Sequence, residues 1–434
     1  MNRTHKDAKT IIDRAIEANM PEAAVLAALD GHAFSGDIYL AAIGKAAWRM
    51  ANAARENLGG RIKNGIVITK YGHAMGEIPG LEIIEAGHPL PDENSILGTE
   101  RAVALAKNLG SGDELLFLIS GGGSALFETP LPGVTLGDMI NINDQLLACG
   151  ADIVEINMIR KRLSAVKAGR FAKMCAPARV FAVVLSDVLG NRLDSIASGP
   201  AAADNSTSEE AMAIVRKYDL TLTDKMKKHI ATETPKSIEN VATVITGSVD
   251  TLCHSAADTA LSLGYTPHIL CTGMNCEARE AGRLAAAIAR GAGGGDFCFK
   301  RPCAVIMGGE TVVRLKGKGK GGRNQEFALA AAEGIAGMGD TVIISAGSDG
   351  SDGPTDAAGG FADGETTADL RAKGINIDVV LRNNDSYHAL KEVDRLIVTG
   401  PTGTNVNDIA VILRASASQE TTPPRTADKE ARPA

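Results

Sequence analysis

Aromatic residues and net positive charge are what this sequence has least of. Aromatics make up 3% of the 434 residues, with a single tryptophan, so surfaces on which bases or sugar rings stack are not expected. The formal net charge is −7 at pH 7, which gives a polyanion nothing to attract it. Nucleic acid is therefore not expected to be a primary partner.

Cysteine pairs, long apolar runs and targeting signals are missing as well. The seven cysteines are odd in number and widely spaced, and no CxxC pair occurs, which argues against a disulfide framework or a zinc site. No run reaches the roughly 18 apolar residues of a membrane span, and the N-terminus MNRTHKDAKT lacks the apolar segment of a signal peptide. The sequence thus predicts a cytoplasmic protein without a membrane partner.

Motifs that mark hydrolases are also absent. The eight histidines are scattered without an HExxH pair, and no GxSxG segment occurs. These absences weigh against zinc-dependent and serine-nucleophile chemistry. Lysine, arginine, carboxylates and glycine-rich loops remain as the candidates for function.

What the chain does contain is an alternation of short apolar runs with helical patterns. The runs are rich in Val, Ile and Leu, and several lack the in–out alternation of half-exposed strands, which is typical of strands buried on both faces. The alternation predicts an α/β protein with largely parallel sheets. The runs are 38–43, 65–69, 115–119, 180–185, 241–245, 268–271, 303–307, 342–345 and 397–398.

Two stretches of the chain depart from this alternation. Residues 201–240 are polar and charged, and a new strand–helix series begins at Val241, so we place a domain boundary near 236–241. From Ala415 to the end, ASASQETTPPRTADKEARPA has no apolar periodicity. A disordered tail is therefore expected over residues 415–434.

Five of the apolar runs end directly in glycine mixed with Lys, Ser, Asp or Glu. Because ligands bind beyond the carboxyl ends of strands in open parallel sheets, these loops predict one large polar cleft. The loop SGGGS lets backbone N–H groups approach a phosphate or carboxylate, although a flexible connector is the alternative. Its residues are Ser120, Gly121, Gly122, Gly123 and Ser124.

Two further strand ends carry charged candidates. Lys45 follows Gly44 directly after a strand, where its charge can reach a phosphate, and a solvated lysine at a helix start is the competing interpretation. Asp187 follows the buried run 180–185. An aspartate in that position commonly holds Mg²⁺ or orients a hydroxyl, with a helix cap as the alternative.

A basic segment lies between two of these loops. Residues 157–170, NMIRKRLSAVKAGR, have the pattern of a helix with one apolar face and basic residues on the rest. A solvated face is the ordinary interpretation of such a helix. Its position favours anion contact from one or two of its basic residues, and Asn157 and Lys161 are taken as the candidates. The basic residues are Arg160, Lys161, Arg162, Lys167 and Arg170.

The last two loops carry glycine with basic or acidic residues. Residues 317–322 match G-x-G-x-x-G formally, but the interleaved lysines favour a mobile phosphate lid over a dinucleotide fingerprint. Arg323, at the start of the next helix, can bind phosphate or carboxylate through two parallel hydrogen bonds. Asp349 in SDGSDGPTD and Glu310 in GGET are candidate ligands of a divalent cation, with Asx turns as the alternative for the first.

Long motifs of the chain resemble the glycerate 2-kinase family. SGGGSALFETP, NMIRKRLSAVKAGR and SDVLGNRLDSIASGP resemble its N-terminal domain. GGETVVRLKGKGKGGRNQEFALA and SAGSDGSDGPTDAAGG resemble its C-terminal MOFRL domain. The resemblance implies two Rossmann-like α/β domains, residues 8–236 and 241–412, with the active site in the cleft between them. Several members carry a hydroxypyruvate reductase label.

This resemblance also implies an activity. The activity is phosphorylation of the 2-hydroxyl of D-glycerate by ATP, giving 2-phosphoglycerate with Mg²⁺, in a monomer or homodimer whose partners are these small molecules. By motif, the resemblance makes catalytic or phosphate-handling residues of Lys45, Asp187 and Arg323. It adds to the site Glu310, Asp349 and Asn405. One or more of Asp187, Glu310 and Asp349 would hold the metal.

Two other functions remain open at this stage. An NAD(P)-dependent hydroxypyruvate reductase is supported by the match at 317–322, but no histidine–acid arrangement for hydride transfer is visible. A non-catalytic protein that binds small anions would use the same cleft. Such a protein would have no need of carboxylates that hold metal.

Overall fold

The apolar runs form two six-stranded sheets in the computed structural model, which describes residues 3–292 and 298–416. The first sheet contains β1 (Asp37–Ile43), β2 (Ile62–Lys70), β3 (Leu81–Ala86), β4 (Asp113–Ile119), β5 (Arg179–Leu185) and β6 (Val241–Gly247). The second contains β7 (Thr266–Met274), β8 (Cys303–Gly309), β9 (Thr341–Gly347), β10 (Gly359–Asp363), β11 (Leu396–Ile397) and β12 (Asp408–Arg414). Eight of the predicted runs lie within strands, and the run 397–398 overlaps the two-residue β11.

The first sheet is parallel throughout, as predicted. Its order is β3-β2-β1-β4-β5-β6, which is the order of a Rossmann fold. The chain runs outward in one direction from β1 and in the other from β4, so the switch point lies between these two strands. The loops after β1 and β4 carry Lys45 and the SGGGS segment.

The second sheet is mixed, so the expectation of a parallel sheet is wrong for this half of the chain. Its order is β11-β10-β9-β12-β8-β7, and only β7 and β8 pair in parallel within the part of the chain that the structure describes. Two strands cause this: β12 enters between β8 and β9 and runs against both, and β10 runs against β9 and β11.

Helices cover both faces of each sheet. The α-helices are α1 (Arg3–Ala18), α2 (Pro21–Asp30), α3 (Ala47–Leu58), α4 (Glu93–Lys107), α5 (Gly123–Leu126), α6 (Leu136–Ala148), α7 (Ile153–Leu163), α8 (Arg170–Met174), α9 (Ser208–Lys217), α10 (Asp224–Ile230), α11 (Val249–Ser262), α12 (Ala278–Gly291), α13 (Arg323–Ala332), α14 (Thr366–Ala372), α15 (Ile377–Arg382) and α16 (Ser386–Glu392). Short 3₁₀ turns lie at Gly59–Arg61, Ile196–Ser198 and Glu333–Ile335. No helix within residues 3–292 and 298–416 has the length and apolarity needed to cross a membrane.

The polar stretch 201–240 belongs to a small helical layer beside the first sheet. Helices α6, α7, α9 and α10 share an apolar cluster that includes Ile142, Ile159, Ile214 and Ile230. This cluster is separate from the clusters that cover the two sheets. It fixes α7, and with it the basic segment, against the loop that follows β4.

The first sheet extends beyond the boundary expected at 236–241, and the N-terminal helix α1 packs on the second sheet, not on the first. Strand β6 pairs in parallel with β5, so the first sheet extends to Gly247. Helix α1 packs on the second sheet, where His5 Nε2 lies 2.6 Å from Asp363 Oδ2 and Tyr265 donates a 2.8 Å hydrogen bond to Asp7. The tail expected at 415–434 lies, from residue 417 onward, outside the described residues.

Candidate active site

Ser120 joins the two loops at the switch point of the first sheet. Its N–H donates to Ile43 O at 2.9 Å, and its hydroxyl oxygen accepts from Ala46 N at 3.1 Å. Gly44 between them has φ +113°, and a Cβ there would lie 2.3 Å from Ser120 Oγ. Ser120 is therefore buried as a support for the loop that presents Lys45, and it also borders the cavity between the two sheets described below.

The glycines after Ser120 make room for side chains of neighbouring loops. A Cβ on Gly121 would lie 2.3 Å from Asp187 Oδ2. Gly122 has φ +86°, and a Cβ there would lie 3.0 Å from His88 Cδ2 and 3.2 Å from Lys45 Cγ. Three strand ends therefore meet around this loop, and two of the predicted catalytic residues, Lys45 and Asp187, are brought together there.

Burial controls the titration of the groups beside this loop. It raises the pKa of Asp187 above the ordinary aspartate value, with Lys45 opposing the shift and Glu310 adding to it. Burial lowers the pKa of His88, and the positive charge of Lys45 acts in the same direction. His88 is therefore a neutral imidazole at neutral pH.

Arg323 approaches the same place from the second sheet. It is the first residue of α13, and its Nε and NH2 groups donate to the two carboxylate oxygens of Asp408, the latter at 3.0 Å. Its NH1 group lies 3.1 Å from Glu310 Oε1. Burial alone would lower the pKa of Arg323, but the hydrogen bonds to Asp408 raise it. The guanidinium is thus charged and held in one orientation.

Asn407 connects the two halves of the site. Its Nδ2 group donates to the backbone oxygen of Asp187 at 3.0 Å and to Glu310 Oε2 at 3.4 Å. Its Oδ1 atom is buried without a hydrogen-bond partner among the described residues. One amide side chain therefore spans the end of β5 in the first sheet and the end of β8 in the second.

A cavity of about 460 Å³ opens between the two sheets beside this group. Lys45 and Gly121 line it from the first sheet, and Asp349 and Asn405 line it from the second. Asp349 also forms an Asx turn, in which Oδ1 accepts from the N–H of Ser351 at 2.9 Å. The interdomain cleft thus contains these two predicted residues.

The other end of the SGGGS loop borders a second cavity, of about 580 Å³. Gly123 starts the short helix α5, and Ser124 Oγ lies 2.9 Å from Ser198 Oγ. Ser198 in turn donates to Asn157 Oδ1 at 3.2 Å. Ser124, Asn157 and Asp187 all line this cavity, so the loop separates two spaces.

Lys161 lies elsewhere, and the helix expected over 157–170 is shorter than predicted. Helix α7 ends at Leu163, and Ala168 and Gly169 adopt positive φ angles that no continuous helix allows. Lys161 is 3% exposed and its Nζ lies 3.1 Å from Asp194 Oδ2 and 3.4 Å from Asp204 Oδ1. Because these carboxylates neutralise it, Lys161 is a structural ion pair and not a free anion ligand.

The Gly/Lys loop is anchored along its backbone. The N–H groups of Lys316 and Gly317 both donate to Asn384 Oδ1, at 2.8 and 3.0 Å. Gly319 N donates to Asn383 O, and Lys320 N to Asp385 Oδ1. These amides are not available to a dinucleotide pyrophosphate, which removes the fingerprint interpretation of residues 317–322 and disfavours a mobile lid.

Two family models match the chain. The model described as domain of unknown function (DUF4147) matches residues 7–231, and the MOFRL family model matches residues 303–408. D-glycerate 2-kinase of Thermotoga maritima is 51% identical over 401 residues, which cover 92% of this chain and 96% of the relative. The chain belongs to the glycerate 2-kinase family.

Other members of the glycerate 2-kinase family and their structures extend the likeness. Glycerate 2-kinase of Pyrococcus horikoshii is 40% identical over 94% of this chain and 96% of the relative. A protein of Agrobacterium vitis, 38% identical over 93% of each chain, has the name "Putative hydroxypyruvate reductase". The crystal structure of glycerate kinase from Thermotoga maritima has a TM-score of 0.92 at 50% identity and covers 94% of this chain and 99% of its own. The predicted family and α/β fold are confirmed.

Four residues of this glycerate 2-kinase family member were not singled out from the sequence. His88 and Arg160 line the 580 Å³ cavity, and Asn407 and Asp408 contact Asp187 and Arg323. His88 follows β3, a strand that the apolar runs did not show. Asn407 and Asp408 immediately precede or begin β12, so a search of every strand end for polar residues would have found them.

Asp352, from the SDGSDG loop, caps the helix that carries Arg323. Its Oδ1 accepts from Asn324 N at 3.1 Å, and its Oδ2 accepts from Gln325 N at 2.9 Å. Burial raises the pKa of Asp352 to about 6, with Asp408 adding to the shift while the helix N–H groups and Arg323 oppose it. Asp352 is therefore a structural cap of α13.

This cap predicts a pH-dependent contribution to stability. A carboxyl whose pKa is raised by folding binds protons more tightly in the folded state, so its contribution falls as pH rises from about 4 to about 6. The side chain of Asp352→Asn cannot ionise. Between about pH 4 and pH 6 the free energy of unfolding of this variant is therefore expected to fall by about 1–3 kcal/mol less than that of the wild type. Urea unfolding at the two ends of this pH range measures the difference. Asp37→Asn, at an aspartate that is 57% exposed, serves as the control, and identical pH dependence in wild type and Asp352→Asn would exclude this carboxyl.

Proposed function

We propose that the chain transfers the γ-phosphoryl group of ATP to the 2-hydroxyl of D-glycerate, giving 2-phosphoglycerate and ADP with Mg²⁺. The observation that carries the proposal is the group of Lys45, Asp187 and Arg323, which meet across the two sheets through Asn407 and Glu310. Relatives that match nearly the whole chain are named glycerate 2-kinases, which supports the same reaction.

The chain's own residues supply what phosphoryl transfer requires. That reaction depends on positioning and charge stabilisation rather than on a covalent enzyme intermediate. Lys45 and Arg323 bring positive charge from the two sides of the cleft and stabilise charge on the transferring group. Asp187, between them, accepts or orients the proton of the substrate hydroxyl, and its raised pKa makes the ionised carboxylate a stronger base than an exposed aspartate.

The carboxylates of Asp187, Glu310 and Asp349 are hard oxygen donors of the kind that suits Mg²⁺. Within residues 3–292 and 298–416, no three or more acidic, histidine or cysteine side chains are grouped as a metal cage. That arrangement fits a cation held by one or two carboxylates together with substrate phosphates. When bound, the cation would neutralise negative charge on the phosphates of ATP.

The reductase alternative loses its support in the sequence, because the N–H groups of residues 316–320 are occupied by Asn383, Asn384 and Asp385. The name of the Agrobacterium vitis relative is the support that this alternative still has. Purified protein incubated with D-glycerate and MgATP, and separately with hydroxypyruvate and NADH, distinguishes the two activities. Phosphorus NMR of the product assigns the 2- or the 3-position. NADH oxidation without ATP consumption would contradict the proposal. Binding of D-glycerate without turnover in either incubation would indicate a non-catalytic anion-binding protein.

Kinase turnover is expected to require a divalent cation, because the charge on ATP exceeds what Lys45 and Arg323 neutralise and Arg323 already pairs with Asp408 and Glu310. Exhaustive chelation should reduce product formation to background, and added Mg²⁺ should restore it. The measurement is the initial rate at saturating ATP before and after chelation. Full turnover after chelation would show that the acidic loops have another role.

A further inference from the structure

Among the described residues, the basic segment next to the 580 Å³ cavity contains one guanidinium, that of Arg160, with neither a carboxylate partner nor a short hydrogen bond. Lys161 pairs with Asp194 and Asp204, and Lys167 forms a fully buried ion pair with Glu128. The remaining two members also have strong partners. Arg162 bonds Ser206 and lies 3.5 Å from Asp204, and Arg170 donates to two backbone oxygens at 2.6 and 2.9 Å.

Arg160 differs from all four. Within the described residues it forms no ion pair, as is also true of Arg170, but its one hydrogen bond is long, from NH2 to the backbone oxygen of Ser124 at 3.4 Å. Burial lowers the pKa of Arg160, and Glu128 opposes the shift. Arg160 is partly exposed in the cavity wall, and a charge partly removed from water without a close partner is costly, so such a group indicates an anionic ligand.

The lining of the cavity shows what the anion would meet. Arg160 shares it with Asn157, Ser124 and the catalytic candidate Asp187. Asn157 is 8% exposed and accepts from Ser198 through Oδ1, which leaves its amide nitrogen as a donor. Lys45 lines the other cavity, with Asp349. An acceptor substrate whose hydroxyl faces Asp187 would therefore lie on the Arg160 side of the SGGGS loop.

We propose that Arg160 binds the carboxylate of the acceptor substrate in the 580 Å³ cavity, with Asn157 as a second donor. This inference rests on the proposed function, which supplies a substrate with a carboxylate next to the reacting hydroxyl. The planar guanidinium donates two parallel hydrogen bonds to a carboxylate, which a lysine does not. Carboxylate recognition thus fixes the 2-hydroxyl relative to Asp187.

Steady-state kinetics with D-glycerate, with its uncharged amide D-glyceramide and with ATP test the proposal. For Arg160→Ala, KM for glycerate is expected to rise about 10- to 100-fold, since a hydrogen-bonded charge pair contributes on that order. The preference for glycerate over glyceramide should fall by a similar factor, and KM for ATP should stay within about twofold. Arg160→Lys should recover only part of the loss.

Arg160→Gln and Arg101→Ala complete the design. Arg160→Gln retains much of the side chain and can still donate to Ser124 O, so it separates loss of the charge from loss of packing. Arg101 is exposed, with its side chain 60% accessible, and its removal should change nothing. Melting curves for every variant report folding.

Three results would overturn the proposal or the function beneath it. A rise in KM for ATP in place of glycerate would show that the cavity takes nucleotide phosphate. Unchanged constants in folded Arg160→Ala would make Arg160 a structural residue. If wild type does not phosphorylate glycerate, the proposed function fails on its own. Calorimetry without ATP then still decides whether D-glycerate binds wild type and loses that binding in Arg160→Gln.

Discussion

Arg323→Ala is expected to lower kcat by about 10²- to 10⁵-fold, the range found for arginine fingers and single transition-state donors. Asp408 occupies the Nε and NH2 groups of Arg323, and Glu310 Oε1 lies 3.1 Å from NH1, so the guanidinium is already oriented before substrate arrives. Such an interaction acts on the transition state, and KM for glycerate should change much less than kcat. Steady-state kinetics at saturating ATP give both constants.

Controls for this prediction follow from the ion pairs around Arg323. Arg323→Lys should recover little activity, because lysine keeps the charge but cannot pair with both oxygens of Asp408. Arg283 lies in α12, is 50% exposed and pairs with Glu280, so Arg283→Ala should behave as wild type. Melting curves are needed because Asp408 is buried and loses its partner in Arg323→Ala. A folded Arg323→Ala enzyme that retains more than about a tenth of wild-type kcat would remove Arg323 from the mechanism.

The sequence predicted five of the six strands of the first sheet, because most of these five are buried on both faces or end in a glycine-rich loop. It missed β3, which is only partly buried. Those two signals are local, so they can be recognised without knowing the fold. They also led to Lys45, Asp187 and the SGGGS loop, which the structure brings together at the switch point. Most of the correctly predicted site residues were therefore found because ligands bind beyond the carboxyl ends of strands in an open parallel sheet.

The second sheet could not be predicted in the same way. Strand direction depends on how the chain returns, and β12 inserts between two strands that are far from it in sequence. The run Asp408–Arg414 is buried at every position, and such a pattern does not indicate whether the strand is parallel or antiparallel to its neighbours. The packing of α1 on this sheet, at the opposite end of the chain, likewise depends on tertiary contacts that no local pattern contains.

Charged residues of one helix were the hardest to rank from sequence. Arg160 and Lys161 are adjacent, and helical geometry turns them about 100° apart. Lys161 faces Asp194 and Asp204, whereas Arg160 lines a cavity. The partners come from the loop at 190–206, whose path is set by tertiary packing. Which of the two adjacent cations stays free for a ligand is therefore visible only in three dimensions.

Asp187→Asn is expected to lower kcat by about 10²- to 10⁴-fold, the usual contribution of a positioned general base. The amide has nearly the same shape as the carboxylate, so its close contact with Gly121 is preserved and KM for glycerate should change little. Kinetics at saturating ATP and glycerate measure this loss.

Asp187→Asn should lower kcat without lowering the melting temperature, and this difference distinguishes a catalytic role of Asp187 from a structural one. Because burial raises the pKa of Asp187, the ionised carboxylate is costly at neutral pH, and the neutral amide should leave the melting temperature unchanged or higher. Asp37, 57% exposed at the opposite end of β1, gives a matched control in Asp37→Asn, which should keep full activity. A large fall in melting temperature together with kcat would make Asp187 a structural residue. A stable variant with more than about a tenth of wild-type kcat would assign the proton to another group.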